Sequence, residues 1–275
     1  MLSTKNNFKE KIVLITGASS GIGRQTAIDF AENAAQTIIL LSRSKSKLEE
    51  LEKTLQSNFR TEIMVYPCDV SIKTEVVRMG KEVLDKFGYI DILVNNAGFG
   101  IYGKVQNQTI EEIESIISTN YLGMIYCTKL FLDSMMSRRS GHIVNVASLG
   151  ASFGVAGLAA YCASKYAMLG FSESLYHELY GTGVGITTVS PIGVKTNFFN
   201  NKSFSDNIPN YTRFMLQPKN VSKAILAAAN SSRMEIIVPF YMRVGVWFKH
   251  TIPYIINPII GSLFRKQLNK SKNNS

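Results

Sequence analysis

Cysteine and histidine are scarce in this chain of 275 residues: each occurs three times. Cys68, Cys127 and Cys162 lie far apart, odd in number and without a CxxC or Cys/His spacing. That excludes a disulfide framework and points to free thiols in a reducing compartment. His142, His177 and His250 show no ligand spacing either, so no metal site is expected. Repeats and low-complexity tracts are missing up to the polar ending NKSKNNS, which should fray. Long apolar runs are missing as well. The start, MLSTKNNFKEKIVLITG, offers only a short run ending in a glycine turn, not the longer stretch and cleavage site of a secretory signal. A cytoplasmic protein is expected.

Acid is lacking from one end. Residues 1–181 carry 18 basic and 18 acidic side chains, whereas residues 182–275 carry 12 basic against two acidic, Asp206 and Glu235. The net charge of +10 therefore resides in the last third. Such asymmetry points to an anionic partner for that end: membrane lipid, an acidic carrier protein or nucleic acid. Nucleic acid fits least, because the basic residues are interleaved with isoleucines and prolines and no nucleic-acid motif is present.

What is present is ample core material, 45% hydrophobic against 18% charged. Short apolar runs alternate with helical spacings. KIVLIT, TIILLS, EIMVYP, IDILVNNAG, GHIVNVAS, VGITTVSP and MEIIVP read as seven strands. Between them, GIGRQTAIDFAENA, SKSKLEELEKTLQS, IKTEVVRMGKEVLDKFG, a stretch from about Thr109 to Met136, and AAYCASKYAMLGFSESLYHELY read as helices. Strands apolar on both faces, joined by helices, give an α/β fold: a doubly wound parallel sheet of about seven strands with helices on both faces. Residues 1–238 form this unit, and residues 239–275 a hydrophobic basic extension. Ligands of such sheets bind beyond the carboxyl ends of the strands.

TGASSGIG, Thr16 to Gly23, joins the first strand to the first helix. Gly17 permits the tight turn, and Gly21 and Gly23 allow close approach where free amides and the helix dipole favour a pyrophosphate. The spacing is GxxxGxG rather than GxGxxG. After the second strand, Ser42 stands where an NAD site usually places an acid, and Arg43 follows. A cation there suits a 2′-phosphate, so NADP(H) is preferred over NAD(H).

TGASSGIG, CDV, NNAG, Asn120, Ser148, YCASK and SPIGVKT, in this order and each after the appropriate element, resemble the short-chain dehydrogenase/reductase family over roughly residues 9 to 238. Ser148 precedes Tyr161 by 13 positions and follows Asn120 by 28, separations similar to those of the family. The resemblance implies a Rossmann-like fold and a catalytic set of Asn120, Ser148, Tyr161 and Lys165. It implies cofactor contacts from Gly17, Ser19, Ser20, Gly21, Ile22, Gly23, Ser42, Arg43, Asp69, Val70, Asn96, Ala97, Gly98, Tyr161, Lys165, Val194 and Thr196. Asp69 would meet the adenine amino group, with Val70 beside the ring. Asn120, in mid-helix, would distort the helix and hold a water by its carbonyl. The chain departs from the family at SPIGVKT, where Ile192 takes the place of the usual glycine and Gly193 follows.

Tyr161 and Lys165 share a helical face by their spacing of four. A free phenol titrates near ~10 and is a poor base at neutral pH. A nearby ammonium should lower it, with the oxidised nicotinamide adding the rest. Tyr161 would then act as general acid in reduction or general base in oxidation, Ser148 orienting the substrate oxygen. The expected function is reduction of a ketone or aldehyde, or oxidation of a secondary alcohol, with a lipophilic small molecule as substrate. Two other readings stand beside it: a 3-oxoacyl carrier-protein reductase, and a non-catalytic NADP-binding regulator. The segment after Thr196 resembles the substrate lid of the family. The extension combines aromatics and isoleucines with Arg243, Lys249, Arg265 and Lys266, a composition that suits peripheral membrane contact, a cap over the substrate mouth, or a subunit contact. A homo-oligomer is expected from the family.

Overall fold

The computed structural model describes residues 8–200, 202–205 and 215–270. Seven strands form one parallel sheet: β1 Ile12–Thr16, β2 Thr37–Ser42, β3 Glu62–Pro67, β4 Ile92–Asn95, β5 Gly141–Val146, β6 Val184–Pro191 and β7 Glu235–Val238. Their order is β3-β2-β1-β4-β5-β6-β7. β1 pairs with both β2 and β4, so the chain reverses its direction of travel beside β1. A crevice opens at such a reversal, outside the carboxyl ends of the strands.

Helices cover both faces: α1 Gly21–Glu32, α2 Lys45–Asn58, α3 Lys73–Phe87, α4 Ile110–Ile117, α5 Gly123–Arg138, α6 Ala159–Glu178, the single turn α7 Lys202–Ser205, α8 Pro218–Ala228, α9 Met242–Thr251 and α10 Pro253–Lys270. Strand side chains alternate between two cores. Val13, Ile15, Ile38 and Leu40 pack with Phe30, Leu51 and Ile225 of α1, α2 and α8. Leu14, Ile39, Leu41 and Leu93 pack with Val83, Phe131 and Leu175 of α3, α5 and α6. Each such fully buried side chain contributes roughly 1.5–3 kcal/mol. That is why the strands read as unbroken apolar runs.

Three stretches differ from the sequence reading. β4 stops at Asn95, because Asn96 turns away to bond the backbone of β1 rather than continue the ladder. The long helix after Thr109 is broken into α4 and α5 by a π-helical segment, Ser118–Leu122, centred on Asn120. The extension, read only as a composition, forms α9 and α10, the second starting on Pro253 and continuing through Pro258. A proline at the first helical position loses no bond, since that amide has no helical partner. Residue 201 and residues 206–214 of the expected lid lie outside the described residues, as do residues 271–275 of the ending expected to fray.

Candidate active site

A cleft of about 670 Å³ runs along the carboxyl ends of β1, β2, β4 and β5. Its floor begins at the turn between β1 and α1. Gly17 and Gly21 adopt φ of +65° and +54°, a backbone that side chains resist. A Cβ on Gly23 would overlap the Gly17 carbonyl and the Asn96 amide, so the helix starts flush against the turn. α1 carries no side-chain cap and no acid in its first turn. Its free amides and positive end therefore face the cleft unopposed, which is the physical basis of anion binding. The turn is braced from β4: Asn96 Nδ2 donates to the Thr16 carbonyl at 2.9 Å, and the amides of Asn96 and Ala97 donate to Thr16 Oγ1 at 2.9 and 3.0 Å.

Ser19, Ser20, Gly21, Ile22, Asn96, Ala97 and Gly98 all line the cleft. Ser42, Arg43, Asp69 and Val70 line its far end, joined there by Ser44 and Lys47, two residues the sequence reading missed. The alternating serines and cations of SRSKSK were the available signal. Arg43 is 69% exposed and lies 3.8 Å from Asp69. An exposed pair of this length is worth about 0–1 kcal/mol, so an incoming phosphate displaces it easily. Asp69 also caps a turn, accepting from the amide and hydroxyl of Ser71 at 3.0 and 2.7 Å.

At the other end stand Tyr161 and Lys165, on one face of α6. Lys165 is buried, and its Nζ donates to the Val146 carbonyl at 2.9 Å. It lies 5.8 Å from the centre of the Tyr161 ring. Burial lowers its ammonium to about 7. Burial also pushes the Tyr161 phenol up to about 12; a hydrogen bond from Ser148 opposes this and the Cys162 thiol adds to it. The expectation that Lys165 lowers the phenol is therefore corrected. With the protein's groups alone, desolvation wins, because the amine is directed at a carbonyl and is itself readily neutralised.

Ser148 follows β5 and caps the short turn Leu149–Ala151, its Oγ accepting from the Gly150 amide at 3.0 Å. Asn120 is fully buried beneath the cleft. Its Oδ1 accepts from the Phe99 amide at 2.9 Å, and its Nδ2 donates to the Phe99 carbonyl at 3.0 Å and to Ser164 Oγ at 2.9 Å. Asn120 thus ties the loop after β4 to α6, one helical position from Lys165. Val194 stands behind the cleft wall, its side chain in the core, while Thr196 reaches the cleft. The Ile192 amide bonds the Val238 carbonyl at 2.9 Å, so at this departure from the family pattern the pairing of β6 with β7 continues one residue further.

Beyond Tyr161 the surroundings turn aromatic. The Phe198 ring meets Tyr161 edge-on at 5.2 Å, meets Phe199 edge-on as well, and lies tilted against Phe204. Phe204 is fully buried and packs on Tyr102. Among the described residues no cluster of His, Cys, Asp or Glu could hold a metal.

The arrangement has known counterparts. The sequence profile of the family described as short chain dehydrogenase matches residues 11–207. The ketoacyl reductase HetN of Nostoc sp. is 36% identical over 83% of this chain and 78% of its own. The epidermal retinol dehydrogenase 2 of Homo sapiens is 32% identical over 90% of this chain and 80% of its own. The alcohol dehydrogenase of the archaeon Thermococcus sibiricus, solved with 5-hydroxy-NADP, has a TM-score of 0.74 and 26% identity over 83% of this chain and 96% of that one.

Proposed function

The chain belongs to the short-chain dehydrogenase/reductase family of nicotinamide-dependent oxidoreductases acting on alcohol and carbonyl groups, and from that premise we propose that it is an NADP-dependent reductase of a lipophilic ketone or aldehyde, running in reverse on the corresponding alcohol, secondary in the case of a ketone. One observation carries this reading. A single cleft holds cations and hydroxyls, Ser42, Arg43, Ser44 and Lys47, at one end and Tyr161 with Lys165 at the other. No acid stands at Ser42 to bind a ribose hydroxyl or to repel a phosphate.

The residues fit the cofactor: the uncapped start of α1 suits the pyrophosphate, and Lys165 is placed to hold ribose hydroxyls. A nicotinamide cofactor held there would supply the hydride and, in its oxidised form, a positive charge. Ser148 holds the substrate oxygen toward Tyr161. Tyr161 gives its proton to that oxygen as the carbonyl carbon is reduced, or removes it in oxidation. A phenol held high by burial is suited to remain protonated until the substrate arrives. Asn120 keeps α6 and the loop after β4 in register, so that Lys165 stays under Tyr161, and its distorted helix offers the carbonyl for a proton-relaying water.

The names of relatives span ketoacyl and retinol substrates. Phe99 and Phe198, which line the cleft beside Tyr161, favour the apolar class over an acyl carrier. Buried free thiols fit a cytoplasmic setting, with Cys127 pushed by burial to about 12 and thus unreactive. A homo-oligomer, the usual state in the family, is part of the same reading.

Turnover against ketones, aldehydes and acyl thioesters tests it. NADPH should be used at least ~10-fold more efficiently than NADH, an interaction worth about 1.4 kcal/mol. Tyr161→Phe should lower turnover ~100-fold or more while sparing NADPH binding. Equal use of both cofactors would refute the NADP assignment, and an active Tyr161→Phe variant the proton-transfer role.

A further inference from the structure

The extension after β7 displays apolar surface that the fold leaves uncovered. Phe240 is 79% exposed, Val244 58% and Trp247 59%. In α10, Tyr254 is 93% exposed, Ile255 61%, Ile259 55% and Leu263 61%. Ile255, Ile259 and Leu263 are spaced by four and share one stripe of the helix. Scattered single apolar residues need no explanation, but a run this dense on two adjoining helices marks a surface that meets something. Its charge says what. No Asp or Glu follows Glu235 in the sequence, while Arg243 and Arg265 lie within the two helices.

The other side of α9 is fastened to the body. Lys249 Nζ donates to the Tyr166 hydroxyl at 2.8 Å and lies 5.8 Å from the Phe153 ring, over which Gly245 also passes. Tyr166 adjoins Lys165, and Phe153 follows the turn that Ser148 caps. The uncovered face therefore has a set position beside the substrate end of the cleft. Among the described residues no helix is long and apolar enough to cross a membrane. Amphipathic basic helices of this kind lie in the plane of the interface, with aromatic and aliphatic side chains at the acyl boundary and cations among the headgroups.

We propose that α9 and α10 form a docking face for the surface of a bilayer containing anionic lipid, so that the substrate end of the cleft lies next to that bilayer. The proposal does not rest on the reductase reading, and its test does not use turnover. Trp247 is the sole tryptophan of the chain, and it sits on the docking face. Full-length protein is mixed with phosphatidylcholine vesicles, with and without phosphatidylglycerol. Tryptophan emission should move to the blue and protein should co-sediment with the anionic vesicles, partitioning at least ~10-fold more weakly onto phosphatidylcholine alone. High salt should weaken the partition. The double variant Ile255→Asp/Ile259→Asp and the single variant Arg243→Glu should each lower partitioning ~10-fold or more, with the unfolding midpoint unchanged because these side chains are exposed. No partition onto anionic vesicles at low salt would overturn the proposal. So would an emission shift that tracks protein concentration without lipid, which would assign the face to a second copy. Equal partition onto both vesicles would overturn its electrostatic part.

Discussion

At Lys165 the needs of the site and of stability pull in opposite directions. Burial lowers its ammonium from 10.5 to about 7. Between those values the unfolded chain binds a proton that the folded chain does not, so stability rises with pH through this window and falls as pH drops toward 7. Below it the buried cation costs on the order of 5 kcal/mol, against about 1 kcal/mol returned by its bond to the Val146 carbonyl. Lys165→Met should therefore abolish turnover yet raise stability to urea by roughly 4 kcal/mol below neutral pH, the gain vanishing above the unfolded value. Equilibrium denaturation at several pH values checks this. The spacing of Tyr161 and Lys165 was legible in the sequence, since helical geometry places them on one face. The direction of the phenol's shift was not. It depends on desolvation at Tyr161, including by rings such as Phe198 that arrive from a loop far along the chain.

At the scale of elements, the π-helical segment Ser118–Leu122 lets one side chain serve two neighbours. Asn120 satisfies both backbone groups of Phe99 and the Ser164 hydroxyl from a fully buried position. Asn120→Ala would strand these partners, with an expected loss of roughly 2–4 kcal/mol, read as a lower denaturation midpoint. Its effect on turnover should exceed its effect on NADPH affinity, because α6 and the loop after β4 lose their tie at the catalytic end. An asparagine in mid-helix was a readable anomaly, and the distortion it announced is present. The termini of strands were less readable. NNAG continues the apolar run of β4, but Asn96 finds better partners on Thr16 and Gly17 than on a neighbouring strand. The helices of the extension were hidden by Pro253 and Pro258, which local propensity counts against a helix.

For the molecule as a whole, the sheet was the most legible feature, because burial on both faces demands apolar strands and the helical connections demand parallel pairing. Its acid sensitivity was not legible, for it lies in where one residue comes to rest. His142 is the second residue of β5, its Nε2 3.1 Å from Thr187 Oγ1 on β6, and burial lowers it to about 4. The unfolded chain takes up that proton near 6.5, the folded chain only near 4, so stability falls as pH drops through the interval. The expected loss is on the order of 3 kcal/mol across it. His142→Gln should flatten this part of the stability–pH curve, measured by urea midpoints; an unchanged slope would assign the acid loss to other groups.

Thr196 and Gly21 are neighbours: a Cβ on Gly21 would come within 2.9 Å of the Thr196 methyl. Two residues on, the same segment rests Phe198 against Tyr161. A single segment thus borders the cleft from the glycine turn to the phenol. A dinucleotide bound along that cleft would lie against it, and a substrate seated first would obstruct its entry. Steady-state kinetics should accordingly show a compulsory order, with the reduced nicotinamide cofactor first on and the oxidised one last off, and product inhibition competitive only between those two.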